Sequence, residues 1–194
     1  MVVREYTRFL GEMVCHPRVV GAFGPSSANL GRHMVSCVDW TQTSTVVEYG
    51  PGTGPITEQI IAQMPPQTTF LAIEINTQFA NLLRQRFPGV RICEGSVGDV
   101  QIHCAAAGIE QVDAIVSGLP WVVFSDEDQT QYLEATMKVL RPGGQFITFG
   151  YLQGMLLPSG WRFRRKLKRY FSEVRVSRPV WANFPPAFFY CCKR

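Results

Sequence analysis

The sequence predicts an open, mostly parallel α/β sheet in a single domain. Three observations carry that prediction. Strand-like and helix-like segments alternate from residue 45 to residue 151, the order that gives parallel βαβ units with right-handed crossovers. A glycine-rich turn, Gly50-Pro51-Gly52-Thr53-Gly54, sits between the first strand and its helix. The C-terminal part then changes style, with SEVRVSRPVW and AFFYCC joined by ANFPP, as expected of an antiparallel pair closing a sheet edge.

In chain order, residues 2–14 place Val2, Val3, Tyr6, Phe9, Leu10, Met13 and Val14 on one helical stripe that Pro17 ends. GAFGPSS reads as a loop, with Ser26 or Ser27 capping a second helix over about 28–40. TVVEY is a strand, and PITEQIIAQM a helix with Pro55 in its first turn. TFLAIEI, VRIC, VDAIV and QFITFGY read as strands. TQFANLLRQRF is a helix stopped at Pro88-Gly89, and DEDQTQYLEATMKVL one whose acidic start suits the helix dipole. The expected whole is a seven-stranded sheet with an antiparallel last strand: one domain over 1–194, with helices in 1–40 covering an acceptor site and a sheet core over 45–194.

Composition narrows the functional classes. Of 194 residues, 46% are hydrophobic and 18% charged, enough apolar material for a core and against wholesale disorder. No run reaches the roughly 18 apolar residues of a membrane span. The opening segment is broken by Arg4, Glu5, Arg8 and Glu12, so it does not read as a secretory signal and an intracellular protein is expected. The six cysteines form no C-x-x-C pair and no histidine completes a zinc site; reduced thiols and no bound metal are expected. Residues 1–160 carry nine Lys/Arg against fourteen Asp/Glu, whereas 161–194 carry ten against one. A basic end on an acidic body points to a polyanionic partner, nucleic acid or an anionic lipid surface.

The glycine turn brings backbone close to a ligand. It departs from the dinucleotide fingerprint G-x-G-x-x-G, and Pro55 has no N–H to offer a pyrophosphate. An adenosyl sulfonium, as in S-adenosyl-L-methionine, has no phosphate to hold, so the proline is harmless there. Glu74 ends the second strand, 20 residues after Gly54, placed to accept both ribose hydroxyls. Glu48 is read as orienting the methionine ammonium or the loop, with Tyr49 and Ile75 flanking the two strand ends.

The segments VVEYGPGTGPIT, FLAIEIN, VDAIVSGLP and VLRPGGQFITF resemble, in order, the motifs of class I methyltransferases over residues 45–151. That resemblance implies a Rossmann-like fold, S-adenosylmethionine as cofactor, S-adenosylhomocysteine as product, and an adenine cradle at Gly95, Ser96 and Val97. Many relatives have Asp where Ser96 stands. A narrower likeness, carried by HPRVVGAFGPSSANLGRHM, SGLPWVVF, LRPGG and NFPPAFFY, is to bacterial phospholipid N-methyltransferases. It implies stepwise N-methylation of phosphatidylethanolamine toward phosphatidylcholine, by a cytoplasmic protein peripheral to the inner face of the membrane.

On this reading Ser117, Gly118, Leu119 and Trp121 leave the strand end beside the reacting methyl group. Trp121 and Phe124 stabilise the developing cation by roughly 0.5–2 kcal/mol. Ser26, Ser27 and Asn183 belong to the lipid side. Tyr151, His16, His33 and Glu48 are the alternatives for a general base, with water a further one. Phe163, Leu167, Tyr170 and Phe171 share one face of a basic segment, expected to lie in the headgroup layer with Arg164, Arg165 and Lys168 on anionic lipid. The alternatives are an rRNA adenine N6-methyltransferase, against which Ser117-Gly118 replaces the expected Asn; a small-molecule amine methyltransferase; and a cofactor-binding module without catalysis.

Overall fold

A computed structural model of the chain describes residues 28–183 and 185–194. The first helix described, α1 (Ala28–Val35), precedes strand β1 (Thr45–Tyr49). There follow α2 (Pro55–Gln63), β2 (Thr69–Glu74), α3 (Thr77–Arg86), β3 (Arg91–Glu94), α4 (Val100–Ala106), β4 (Val112–Ser117), α5 (Asp126–Val139) and β5 (Leu140–Tyr151). The chain ends with α6 (Pro158–Tyr170), β6 (Glu173–Val176) and β7 (Ala187–Lys193).

The sheet order is β3-β2-β1-β4-β5-β7-β6. Neighbours from β3 to β5 pair parallel, and β7 runs antiparallel between β5 and β6. The order reverses between β1 and β4, where crossovers leave to opposite sides and open a crevice at the carboxyl ends of the strands. Every later feature of the site depends on that reversal.

Central strands of a sheet covered on both faces must be apolar throughout, and TVVEY and VDAIVS are buried over nearly their whole length. Alternation splits the core in two. Val46, Ala72, Ala114, Val116 and Ile147 face α1 and α2 through Leu30, Met34, Ile56 and Ile60. Val47, Leu71, Ile73, Ile115 and Phe146 face α4, α5 and α6 through Val100, Leu133 and Phe163. Asn76 caps α3 by accepting from the N–H groups of Gln78 and Phe79, and Ser125 caps α5 by accepting from that of Asp128.

The structure departs from the sequence reading in several places. The helix α4 was not anticipated, because VQIHCAA is short and offers only Val100 and Cys104 to the core. Strand β5 begins at Leu140, five residues early, because LRPGG continues the ladder through a register shift opposite Val112 and Ala114. The second helix stops at Val35. The 172–181 run shortens to β6 plus an isolated Val180–Ala187 bridge. The helix read over 2–14, its Pro17 stop and the caps Ser26 and Ser27 lie outside the described residues.

The largest correction concerns α6. Phe163, Leu167 and Phe171 are 2%, 0% and 4% exposed, so the apolar face assigned to lipid is core. Phe163 stacks on Trp121 with ring centroids 4.8 Å apart and meets Tyr190 edge-on at 6.2 Å, while Phe171 stacks on Phe146 at 5.3 Å. An amphipathic basic helix has the same periodicity whether its apolar stripe meets a bilayer or a sheet, so sequence alone does not separate the two. Phe163→Ala is expected to destabilise the fold by about 3–5 kcal/mol in a urea melt. A variant as stable as wild type would show that this face is not packed.

Candidate cofactor and acceptor site

Three loops meet at the switch point because the ladders run one residue past their strands. Gly50 N–H donates to the Ile73 carbonyl at 2.9 Å, Gly95 to that of Glu74 at 2.9 Å, and Gly118 to that of Tyr49 at 2.8 Å. At Gly118 the approach is so close that a Cβ would stand 2.7 Å from the Gly50 carbonyl oxygen. Gly52 has φ 58°, and a Cβ there would meet nothing within 4 Å; the loop skirts open space rather than packed protein.

Glu74 ties these loops together. It is 2% exposed; Oε2 accepts from Gly52 N–H at 3.0 Å and Oε1 from Asn76 N–H at 2.8 Å. Burial pushes its pKa up, opposed by these backbone donors. Glu74 lines a cleft at the strand ends. Gly50, Glu74, Ile75, Gly95, Ser96 and Val97 line one part of that cleft, and Leu119, Phe124 and Tyr132 the other. A carboxylate with spare acceptor capacity between apolar walls fits a ribose diol beside a flat ring.

Tyr132 escaped the sequence reading. It lies one residue off the buried Gln129-Leu133-Thr136 stripe of α5, which turns it toward the strand ends, where it lines the cleft together with Ser96. Ser96 itself caps the turn at 97–99 by accepting from Gly98 N–H at 3.1 Å.

Glu48, one residue before Tyr49 and fully buried, has Oε2 bonded by the Thr57 hydroxyl at 2.7 Å. Its Oε1 is buried with no hydrogen-bond partner among the described residues. Burial pushes its pKa up to about 8, the Thr57 bond opposes this, and the charge of Glu74 adds to it. An orphaned acceptor of this kind suits an ammonium donor.

Other anticipated residues land elsewhere. The Tyr49 ring is in the core, its hydroxyl 3.2 Å from that of Thr136, so only its backbone serves the loop. Thr53 is half-buried, its carbonyl accepting from Arg86, and Gly54 is the left-handed N-cap of α2. Ser117 is fully buried; its hydroxyl accepts from Trp121 Nε1 at 3.0 Å and Leu119 N–H at 3.3 Å, and its carbonyl accepts from Thr148.

Trp121 is 1% exposed and stacked on Phe163. This corrects its assignment as a cation-stabilising ring, since a face already covered by Phe163 cannot stack on an acceptor. Tyr151, at the end of β5, packs edge-on against Phe149 at 5.5 Å and does not line the cleft. Burial raises its pKa, the wrong direction for a base. His33 is exposed on α1, and Asn183 donates to the Pro185 carbonyl at 2.7 Å, bracing the turn before β7. His16, Ser26 and Ser27 lie outside the described residues.

A switch-point crevice with a glycine loop, an acid capping the neighbouring strand and apolar ring-sized walls defines a class I, S-adenosylmethionine-dependent methyltransferase. The comparisons agree. Residues 46–144 match the methyltransferase domain family, and the chain belongs to it; its cofactor is S-adenosyl-L-methionine.

Along nearly its whole length the chain is similar to the ornithine lipid N-methyltransferase of Singulisphaera acidiphila, 34% identical over 98% of this chain and 97% of the relative. Among solved structures it resembles an O-methyltransferase from Bacillus cereus in complex with S-adenosylhomocysteine. That match has TM-score 0.69 and 16% identity, and covers 95% of this chain and 90% of the other. A TehB-like methyltransferase from Corynebacterium glutamicum matches at TM-score 0.62 and 13% identity, covering 99% and 98%. At these identities the structural likenesses speak for the fold.

Two outcomes are expected. Glu74→Gln should weaken cofactor binding about ten- to a hundredfold in titration calorimetry, the effect of one lost charged hydrogen bond of about 1.5–3 kcal/mol; unchanged affinity would remove Glu74 from the site. For Glu48, a folded-state pKa of about 8 above the ordinary 4.5 means that the folded protein holds the proton more tightly. Its contribution to stability is therefore complete below about pH 4.5 and lost as pH rises to about 8. Without cofactor, Glu48→Gln should flatten that decline, which reaches at most about 1.4 kcal/mol per pH unit. A slope identical to wild type would mean that Glu48 is not the group responsible.

Proposed function

We propose that the protein methylates the amine nitrogen of a membrane lipid headgroup. The near-full-length match to a lipid N-methyltransferase carries this reading. Phosphatidylethanolamine and its mono- and dimethyl forms, leading toward phosphatidylcholine, are the substrates the sequence motifs favour. Ornithine lipid is the second reading, favoured by the relative's own name. Both lipids present an amine on a headgroup anchored by acyl chains, so a site open toward a membrane serves either.

The cofactor supplies a methyl group already activated on a sulfonium, so the protein's work is largely positioning. Glu74 would hold the ribose, with Ile75, Val97 and Tyr132 around the adenine and the orphaned Oε1 of Glu48 toward the ammonium. Leu119 and Phe124 shape the side where the acceptor enters. The amine must arrive unprotonated. Glu74 is held by backbone donors, and Tyr132 is a phenol whose pKa burial raises. Water at the mouth is the proton acceptor in this proposal, with His16 outside the described residues as the alternative.

Among the described residues no helix is long and apolar enough to cross a membrane. A peripheral enzyme at the cytoplasmic face of an anionic membrane, with residues 1–40 covering the acceptor, completes the proposal. Incubation with radiolabelled cofactor and separate vesicles of phosphatidylethanolamine or ornithine lipid should place label in at least one lipid. Label transferred only to RNA or to water-soluble amines would overturn the reading.

A further inference from the structure

Ten large apolar side chains are exposed among the described residues, and five of them gather at one place. After β5 the chain makes a short 3-10 turn, Leu152–Leu156, and enters α6 at Pro158. Met155, Leu156 and Leu157 are 37%, 84% and 49% exposed, Trp161 on α6 is 68% exposed, and Val123 in the 121–123 turn is 52% exposed. Nothing in the sheet's packing calls for these residues to be apolar.

The tab they form is braced against the protein. Leu157 N–H donates to the Gly154 carbonyl at 3.2 Å. Trp161 Nε1 donates to the Met155 carbonyl. A Cβ on Gly160 would collide with the Gly154 carbonyl, and Val122 packs close to both glycines. The turn that carries Val122 and Val123 is flanked by Leu119 and Phe124, which line the cofactor cleft. The apolar tab therefore borders the entrance to the site.

Charge surrounds it. Trp161, Arg164, Arg165 and Lys168 fall at i, i+3, i+4 and i+7, one side of α6. Arg162 and Lys166 are drawn to Asp126, at 3.8 and 2.9 Å, whereas Arg164, Arg165 and Lys168 have no ion pair among the described residues. Trp181, 72% exposed, stands at the same end of the sheet, next to the Val180–Ala187 bridge and the end of β5. Exposed leucines, tryptophans at the margin and unpaired cations alongside match the profile of a bilayer interface. The apolar patch excludes nucleic acid as the better fit, since phosphate contacts require only the cations.

We propose that Met155, Leu156, Leu157, Val123 and Trp161 form an insertion tab that enters the headgroup–acyl boundary of an anionic bilayer. Arg164, Arg165 and Lys168 rest on lipid phosphates, so the cleft faces the membrane and a lipid amine reaches it without leaving the bilayer. The inference rests on the lipid-amine reading for its purpose. It replaces the buried face of α6 with the surface that can meet lipid.

The test uses the full-length protein and vesicles of phosphatidylcholine with or without phosphatidylglycerol, lipids without a methylatable amine, so binding is read independently of substrate identity. The L156E/L157E variant should bind the anionic vesicles at least about tenfold more weakly, keep wild-type cofactor affinity in calorimetry and keep its melting temperature. I102E, an equally exposed apolar site on α4, should bind as wild type. Vesicle binding by L156E/L157E equal to wild type would overturn the proposal. Loss of cofactor affinity or melting temperature would overturn it too, because the tab would then be covered by another part of the chain. Wild-type vesicle binding that requires the tab while neither amine lipid takes label would leave the tab standing and defeat the substrate reading instead.

Discussion

The carboxylate of Glu74 holds two backbone N–H groups at once, one from the glycine loop and one from the turn after its own strand. Burying a charge is costly unless it is hydrogen-bonded, and here those same bonds set the distance between the β1 and β2 loops. The third loop is set by backbone alone, through Gly118 on the Tyr49 carbonyl. Side chains larger than hydrogen at Gly118 would drive the β4 loop away from β1. The cleft is thus built from main chain, with one acid as its clasp, which is why so few side chains in it are polar.

The opposite wall is a matter of aromatic packing. Trp121 is stacked on Phe163 and meets Phe124, Tyr132 and Phe146 edge-on. Its indole N–H is satisfied by Ser117, and Gln129 donates to its carbonyl at 2.7 Å. The Trp121 ring therefore fastens α6 and the 121–123 turn to the end of β4. Its neighbours Leu119 and Phe124 face the cleft. A wall of packed rings is suited to excluding water from one side of the cleft.

The two sides of α6 divide the labour. One anchors the helix to the sheet through Phe163 and Leu167; the other carries Trp161 outward beside the 152–157 turn, with cations that have no ion pair among the described residues. A rigid link of this kind makes the orientation of a surface and the orientation of a cleft the same variable. For an acceptor confined to a plane, orientation is the entropy that an enzyme must otherwise supply at each encounter.

Sequence by itself determined the alternation of strands and helices, the glycine turn, the acid at the end of the second strand and the antiparallel close. These are local: apolar periodicity, backbone φ at Gly50, Gly52 and Gly54, and residue spacing do not need distant contacts. Only the tertiary structure decided which face of each side chain mattered. Trp121, Ser117 and Tyr49 sit at site-like positions in the chain yet turn into the core, because their partners Phe163, Thr148 and Thr136 come from elements distant in the chain, 87 residues away for Tyr49 and Thr136. Tyr132 turns into the cleft, and the stripe of α6 turns onto the sheet, for the same reason. A stripe or an aromatic ring specifies that something must cover it, and the topology specifies what does.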